Sequence, residues 1–132
     1  MKALAIDDDP IFRFLITELL GKCGIKDVDT FEDGDTAYQH LKSLEKRALP
    51  QLILLDLNMP VMDGWDLLDL MAAENLLQDI DIWVLSSSDY PEDLQRTKDY
   101  DVIKKVITKP ISLQTLKTEM ANYLEQKAPP HE

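Results

Sequence analysis

A series of short apolar runs without polar alternation constrains this chain more than any other feature. In chain order they cover residues 4–6, 26–29, 52–55, 82–85 and 106–107, and the run at 26–29 is the weakest. A strand with one face in water alternates apolar and polar residues, whereas a strand covered on both faces is apolar throughout. The runs therefore predict buried strands of a parallel sheet.

Helical patterns separate these runs. Apolar residues recur at helical spacing from Ile11 to Leu20, and Gly21 and Gly24 follow as helix-stop signals. Further helical patterns cover residues 36–49, 65–71, 91–100 and 113–123, the first of them ending at Pro50. Strand and helix units that alternate in this way predict a doubly wound α/β sheet with helices on both faces.

The length predicts one domain. A chain of 132 residues is close to the roughly 150 residues of an average domain. We expect residues 1–127 to form this domain. Residues 128–132, Ala-Pro-Pro-His-Glu, are expected to form a disordered tail.

The charge balance excludes several classes of partner. With 14 basic and 25 acidic residues the net charge is −11, which argues against a nucleic-acid partner and against binding to an anionic membrane surface. No apolar run approaches the ~18–20 residues of a membrane span. The single cysteine, Cys23, allows no internal disulfide, so a reducing, cytoplasmic location is expected.

Polar side chains follow four of the predicted strands at the point where each apolar run ends. In chain order they are Asp7 and Asp8, Asp56, Ser86, and Lys109. The functional groups of an open parallel sheet gather at the carboxyl ends of its strands. We therefore expect three carboxylates, a hydroxyl and an ammonium to share one crevice.

Three carboxylates in one crevice need compensation, because two like charges about 5 Å apart repel by roughly 3–4 kcal/mol at an effective dielectric constant of 20. Oxygen ligands without histidine or cysteine favour a hard divalent cation, Mg²⁺ or Mn²⁺. An ammonium repels such a cation but suits an anion that arrives beside it. The combination predicts a phosphoryl-binding pocket with a carboxylate nucleophile, the chemistry of an aspartyl phosphate.

The segment 54–64, Leu-Leu-Asp-Leu-Asn-Met-Pro-Val-Met-Asp-Gly, resembles the phosphoacceptor segment of two-component response-regulator receiver domains. Residues 6–9 resemble the paired acidic residues of that family, residues 108–110 resemble its Lys-Pro motif, and Ser86 stands where the family places Ser or Thr. The order and spacing agree over nearly the whole chain, as in the single-domain chemotaxis receivers. The resemblance implies a flavodoxin-like sheet of five parallel strands, in the order 2-1-3-4-5, with five helices.

The resemblance also implies a role for each site residue. Asp56 would accept a phosphoryl group from a phosphohistidine on a histidine kinase or histidine phosphotransfer protein. Mg²⁺, with Mn²⁺ as an alternative, would be held by four residues: Asp7, Asp8, Asp56 and the backbone carbonyl of Asn58. Lys109 would pair with the phosphoryl oxygens, Ser86 would report their presence, and the peptide before Pro110 would be cis. Such a domain is a signalling switch rather than a turnover enzyme, and it acts through a downstream protein, in some cases as a dimer.

One position departs from the family pattern and leaves alternatives open. The family often has an aromatic switch residue three positions before the lysine, and Val106 stands there. Because valine has no comparable inward and outward states, a degenerate receiver that binds partners without phosphate is the main alternative. A flavodoxin-type electron carrier is a weaker alternative, because no phosphate loop follows the first strand. A Mg²⁺-dependent phosphatase is also a weaker alternative, because little beyond Asp7-Asp8-Asp9 supports it.

Overall fold

The computed structural model describes residues 1–86 and 91–127, without the side chain of residue 91. Within these residues five strands alternate with five helices. They are β1 (Lys2–Ile6), α1 (Pro10–Lys22), β2 (Asp27–Phe31), α2 (Gly34–Ser43), β3 (Leu52–Asp56), α3 (Gly64–Ala73), β4 (Asp81–Ser86), α4 (Pro91–Arg96), β5 (Ile103–Thr108) and α5 (Leu113–Lys127). The expected tail at residues 128–132 lies outside the described part of the chain.

The strands form one parallel sheet in the order β2-β1-β3-β4-β5, which confirms the predicted fold. All four strand pairs are parallel. The register places Ile6 of β1 opposite Leu55 of β3, and Ser86 of β4 opposite Thr108 of β5. The carboxyl ends of four strands are therefore level at one edge of the sheet.

The apolar runs form strands because each of their two faces meets a helix layer. Ala3 and Ala5 of β1 face a core shared with α1 and α5, whereas Leu4 and Ile6 face a second core shared with α2 and α3. All four of these side chains are fully buried. A strand between two cores carries no polar face, which is the pattern that the sequence shows.

Two helices are shorter than their apolar patterns indicate. The helix expected over residues 36–49 ends at Ser43, whose hydroxyl donates to the carbonyl of His40, and a 3₁₀ turn at Lys46–Ala48 follows. Serine competes for helix carbonyls in this way and favours helix ends. The helix expected over residues 91–100 ends at Arg96 and continues as a 3₁₀ turn, where the Thr97 hydroxyl donates to the carbonyl of Leu94.

The helix beginnings are fixed by short polar side chains, as α1 and α3 illustrate. Asp9 caps α1 by accepting from the N–H of Ile11, and Asp63 forms a reciprocal capping box with Asp66 at the start of α3. Because α1 follows β1 and α3 follows β3, both helix N-termini lie at the sheet edge that carries the polar residues. Among the described residues, no helix has the length and apolar character needed to cross a bilayer.

Candidate functional site

Three carboxylates meet at the carboxyl edge of β1 and β3. Asp7 directly follows β1 and Asp56 is the last residue of β3. One carboxylate oxygen from each of Asp7, Asp8 and Asp56 lies within 4.8 Å of the others. Asp7 and Asp56 are buried, whereas Asp8 is exposed. The acidic cluster expected from the strand ends is therefore present and opens to solvent on the Asp8 side.

Asp7 is held at every polar atom by the protein. Its N–H donates to the carbonyl of Phe31 (3.1 Å), and its own carbonyl accepts from Arg13 Nη1 (2.7 Å). Its Oδ1 accepts from the N–H of Asp9 (2.9 Å), and its Oδ2 accepts from Lys109 Nζ (2.6 Å). These four hydrogen bonds fix the position of the Asp7 carboxylate at the buried side of the cluster.

Lys109 brings the positive charge of the site. It follows β5, and its N–H donates to the carbonyl of Ser86 (2.8 Å), which ties the loop after β5 to the end of β4. Its ammonium lies 2.6 Å from Asp7 Oδ2 and 3.8 Å from Asp56 Oδ2. The peptide bond to Pro110 is cis, as the resemblance implied. An ammonium and three carboxylates therefore share the crevice that the sequence predicts.

The environment of Asp56 disfavours its ionised form. Burial raises the pKa of this carboxyl from 3.8 to about 6, and the neighbouring Asp7 charge acts in the same direction. The N–H of Asn58, which donates to Asp56 Oδ1 (3.1 Å), and the Lys109 ammonium oppose this rise of the pKa without cancelling it. An added cation would favour the ionised form of Asp56, so ionisation of Asp56 and binding of a cation favour each other.

The loop between β3 and α3 is held against Asp56 by a glycine. A Cβ atom on Gly64 would lie 2.8 Å from the carbonyl oxygen of Asp56 and 2.9 Å from the Cα atom of Leu57. The Gly64 N–H also donates to the carbonyl of Leu57 (3.1 Å). This close approach fixes where the chain leaves the site, and no other residue type fits there without a backbone shift.

Ser86 and Val106 lie near the same edge of the sheet. Ser86 ends β4, one residue beyond the partner of Asp56 in the register, and its side chain is buried. Val106 lies in β5 opposite Val84 and packs against the core on the α2 and α3 side. The hydroxyl expected at the strand end is in place, and the switch position holds a packed valine.

Two residues of α1 act on the site although no motif in the sequence marks them. Arg13 donates to the carbonyl of Asp7, and the ring of Phe12 lies under the Lys109 ammonium, with 4.3 Å between Nζ and the ring centroid. The available signal was the Asp9 cap, since side chains of a first helical turn lean toward the helix N-terminus and hence over the preceding loop.

A family model described as the response regulator receiver domain matches residues 3–121. This chain belongs to the receiver domain family. Receiver domains are the signalling switches of two-component systems.

Known relatives agree with this assignment. Chemotaxis protein CheY1 of Helicobacter pylori is 29% identical, and the alignment covers 91% of this receiver domain and 94% of CheY1. A protein-glutamate methylesterase/protein-glutamine glutaminase of Archaeoglobus fulgidus is 39% identical over 54% of this receiver domain but only 19% of its own length. A two-component response regulator from Cytophaga hutchinsonii superposes with a TM-score of 0.82 at 27% identity, covering 94% of this chain and 96% of the other.

Proposed function

We propose that this receiver domain takes a phosphoryl group onto Asp56 and thereby changes its affinity for a downstream protein. The donor is a phosphohistidine on a histidine kinase or histidine phosphotransfer protein in the cytoplasm, and Mg²⁺ assists the transfer. The observation that supports this best is the placement of Lys109 Nζ 3.8 Å from Asp56 Oδ2 beside two further carboxylates. A buried carboxylate close to both an ammonium and further oxygen ligands suits phosphoryl transfer, because these groups can stabilise the charge that develops on the phosphoryl oxygens.

The donor set fits a hard divalent cation. The three clustered side chains are all carboxylates, which prefer Mg²⁺ or Mn²⁺ over softer metals. Asp8 and Asp56 would hold the cation directly, with the carbonyl of Asn58, and Asp7 would contact it through water because its two carboxylate oxygens already accept hydrogen bonds. When bound, the cation supplies neutralisation of charge on the phosphoryl oxygens.

Asp56 acts as the nucleophile. One of its carboxylate oxygens forms a bond to phosphorus while the bond between phosphorus and the donor imidazole nitrogen breaks. The bonding electron pair stays on that nitrogen, which takes up a proton. Lys109 neutralises the negative charge of the phosphoryl oxygens, and the Ser86 hydroxyl donates a hydrogen bond to one of them.

The output is a population shift. Drawing Ser86 and Lys109 toward the phosphoryl group changes the ends of β4 and β5, to which α4 and α5 are connected. A shift from 1:99 to 99:1 needs about 5.5 kcal/mol of differential interaction. Two charge-assisted hydrogen bonds at ~1.5–3 kcal/mol each come close to that requirement.

Intact-mass spectrometry with a small phosphodonor such as acetyl phosphate tests the proposal. The wild type should gain the mass of one phosphoryl group with Mg²⁺ present and none with EDTA. Asp56→Asn should gain none. Asp27→Asn, which alters an exposed carboxylate at the other end of the sheet, should label like the wild type. Wild type that stays unlabelled with Mg²⁺ and donor rules out the proposal.

A second candidate is a receiver that binds its partner independently of phosphate, and the packed Val106 favours it. The two candidates differ in one measurable quantity. The switch requires that partner affinity differ between the free and the phosphorylated protein. Equal affinities would favour the phosphate-independent module.

A further inference from the structure

We infer that Phe12 is a positioning residue, whose ring face keeps the Lys109 ammonium beside Asp56 when the carboxylates bind a divalent cation. This inference rests on the proposed function. It concerns a residue of α1 outside the acidic, hydroxyl and lysine motifs, and it assigns to that residue an effect on the group that meets the phosphoryl oxygens.

The geometry is that of a cation–π contact. Lys109 Nζ lies 4.3 Å from the centroid of the Phe12 ring. The face of an aromatic ring carries negative potential and attracts an ammonium within about 6 Å. The Lys109 ammonium thus contacts both the ring face of Phe12 and the carboxylates of Asp7 and Asp56.

The ring is fixed in place by its packing. Phe12 is 8% exposed and belongs to the core formed by α1, α5 and one face of the sheet. Its neighbours in that core include Ile16 and Leu116, both fully buried. The ring therefore has a fixed position, whereas lysine has a flexible four-carbon stem and that of Lys109 is 25% exposed.

A bound cation changes which contact holds Lys109. The ammonium pairs with Asp7 Oδ2 at 2.6 Å, within the cluster that would hold the cation. A divalent cation there repels the ammonium and neutralises the carboxylates that attract it. The uncharged ring keeps its attraction, so Phe12 is the contact that prevents Lys109 from turning out to solvent.

Proton NMR tests this geometry without any chemical reaction. Protons above a ring face are shifted upfield, so the ε-methylene protons of Lys109, assigned with a Lys109→Arg variant, should lie upfield of those of exposed lysines. The shift should persist when Mg²⁺ is added and vanish in Phe12→Leu. An upfield shift that disappears from the wild type on addition of Mg²⁺ would overturn the inference.

The rate of labelling by acetyl phosphate at saturating Mg²⁺ tests the consequence. Phe12→Leu should label about three- to tenfold more slowly, the size expected for loss of a partly desolvated cation–π contact. Phe14→Leu should label at the wild-type rate, because Phe14 is a 70% exposed aromatic of the same helix. A wild-type rate in a folded Phe12→Leu also overturns the inference.

A ring-fluorinated phenylalanine, incorporated at position 12 alone, separates positioning from packing. Fluorine weakens the negative potential of the ring face with little change in its shape, so labelling should slow while the thermal midpoint stays close to the wild-type value. An unchanged rate would show that Phe12 acts through packing alone and would overturn the inference. If the wild type itself does not label, the proposed function fails, and the NMR shifts still decide the position of Lys109.

Discussion

Lys109 Nζ lies 2.6 Å from Asp7 Oδ2, although the two residues are 102 positions apart in the chain. The contact joins the end of β5 to the end of β1 across β3 and β4, the two strands that lie between them in the sheet. Groups that are distant in sequence become neighbours because they follow strands that are level at one edge.

Removing the lysine charge should destabilise the protein and increase its affinity for cations. In Lys109→Gln the buried Asp7 carboxylate loses its ion-pair partner, and we expect the free energy of unfolding to fall by about 1–3 kcal/mol in EDTA. Added Mg²⁺ should recover much of this loss, because it supplies the missing positive charge. Urea unfolding with EDTA and with Mg²⁺ measures both effects. Equal losses under the two conditions would contradict the role of Lys109 in balancing the carboxylates.

Neutralising Asp56 should stabilise the protein at alkaline pH when EDTA removes divalent cations. The pKa of Asp56 is about 6 in the folded protein against an ordinary 3.8. The folded state therefore retains a proton that the unfolded state loses as the pH rises from about 4 to 6, so wild-type stability falls over this range. Asp56→Asn lacks this loss and should be about 2–3 kcal/mol more stable at pH 8.

The advantage of Asp56→Asn should disappear toward pH 4, where the wild-type carboxyl is protonated as well. It should also narrow in Mg²⁺, which favours the ionised carboxylate. Urea unfolding from pH 4 to pH 8 with EDTA gives the comparison. A variant advantage that grows as the pH falls would have the wrong sign for a raised pKa.

Filling the space at Gly64 should damage the site, whereas filling the space at Gly21 should not. The added Cβ of Gly64→Ala meets the Asp56 carbonyl oxygen at 2.8 Å, so the backbone must move, at a cost of about 1–3 kcal/mol. Mg²⁺ affinity and the labelling rate should fall with it. Gly21 lies within α1, and a Cβ added there would have no atom within 4 Å apart from its chain neighbours and the backbone of its own helix, so Gly21→Ala should gain roughly 0.5–1 kcal/mol. Thermal melts and Mg²⁺ titrations of both variants make the comparison.

Much of this fold follows from local sequence signals, because those signals report burial and capping directly. Apolar runs such as 52–55 predict strands covered on both faces, and the structure confirms this for β3. The start of α1 also depends on neighbouring residues, since Asp9 is its N-cap and Pro10 its first residue. Each of these signals lies within a few residues of the feature that it predicts.

The features that the sequence did not predict depend on contacts between distant segments. The helical pattern alone indicates that Phe12 is a core residue of α1. Its contact with Lys109 arises because the end of β5 lies next to α1 in the folded protein. Likewise, Trp65 reads as a packing residue, and its partners Arg96 and Tyr100 come from the segment around α4. No spacing within one helix encodes such pairs, because the sheet order decides them.

At the amino end of the sheet, loss of a buried hydroxyl should lower stability, whereas labelling by acetyl phosphate should stay as in the wild type. Tyr123 of α5 donates to Asp81 Oδ2 at 2.8 Å, and Lys127 pairs with the same oxygen at 2.8 Å. Tyr123→Phe leaves the buried Asp81 with one partner fewer, which should lower the free energy of unfolding by about 1–3 kcal/mol. Tyr100→Phe is the matched control. The Tyr100 hydroxyl donates to the exposed Asp69, so its removal should lower the free energy of unfolding by less.

The pH dependence of Tyr123→Phe follows from the raised pKa of the hydroxyl that the variant lacks. Burial, with Asp81 adding to it, raises the pKa of Tyr123 above the ordinary 10.0. Above pH 10 the unfolded chain therefore loses a proton that the folded protein keeps, so the stability contributed by this hydroxyl is present at neutral pH and declines as the pH rises. Tyr123→Phe should show a shallower alkaline decline in urea unfolding between pH 9 and pH 11, together with wild-type labelling at Asp56. A decline as steep as that of the wild type would show that another group governs alkaline unfolding.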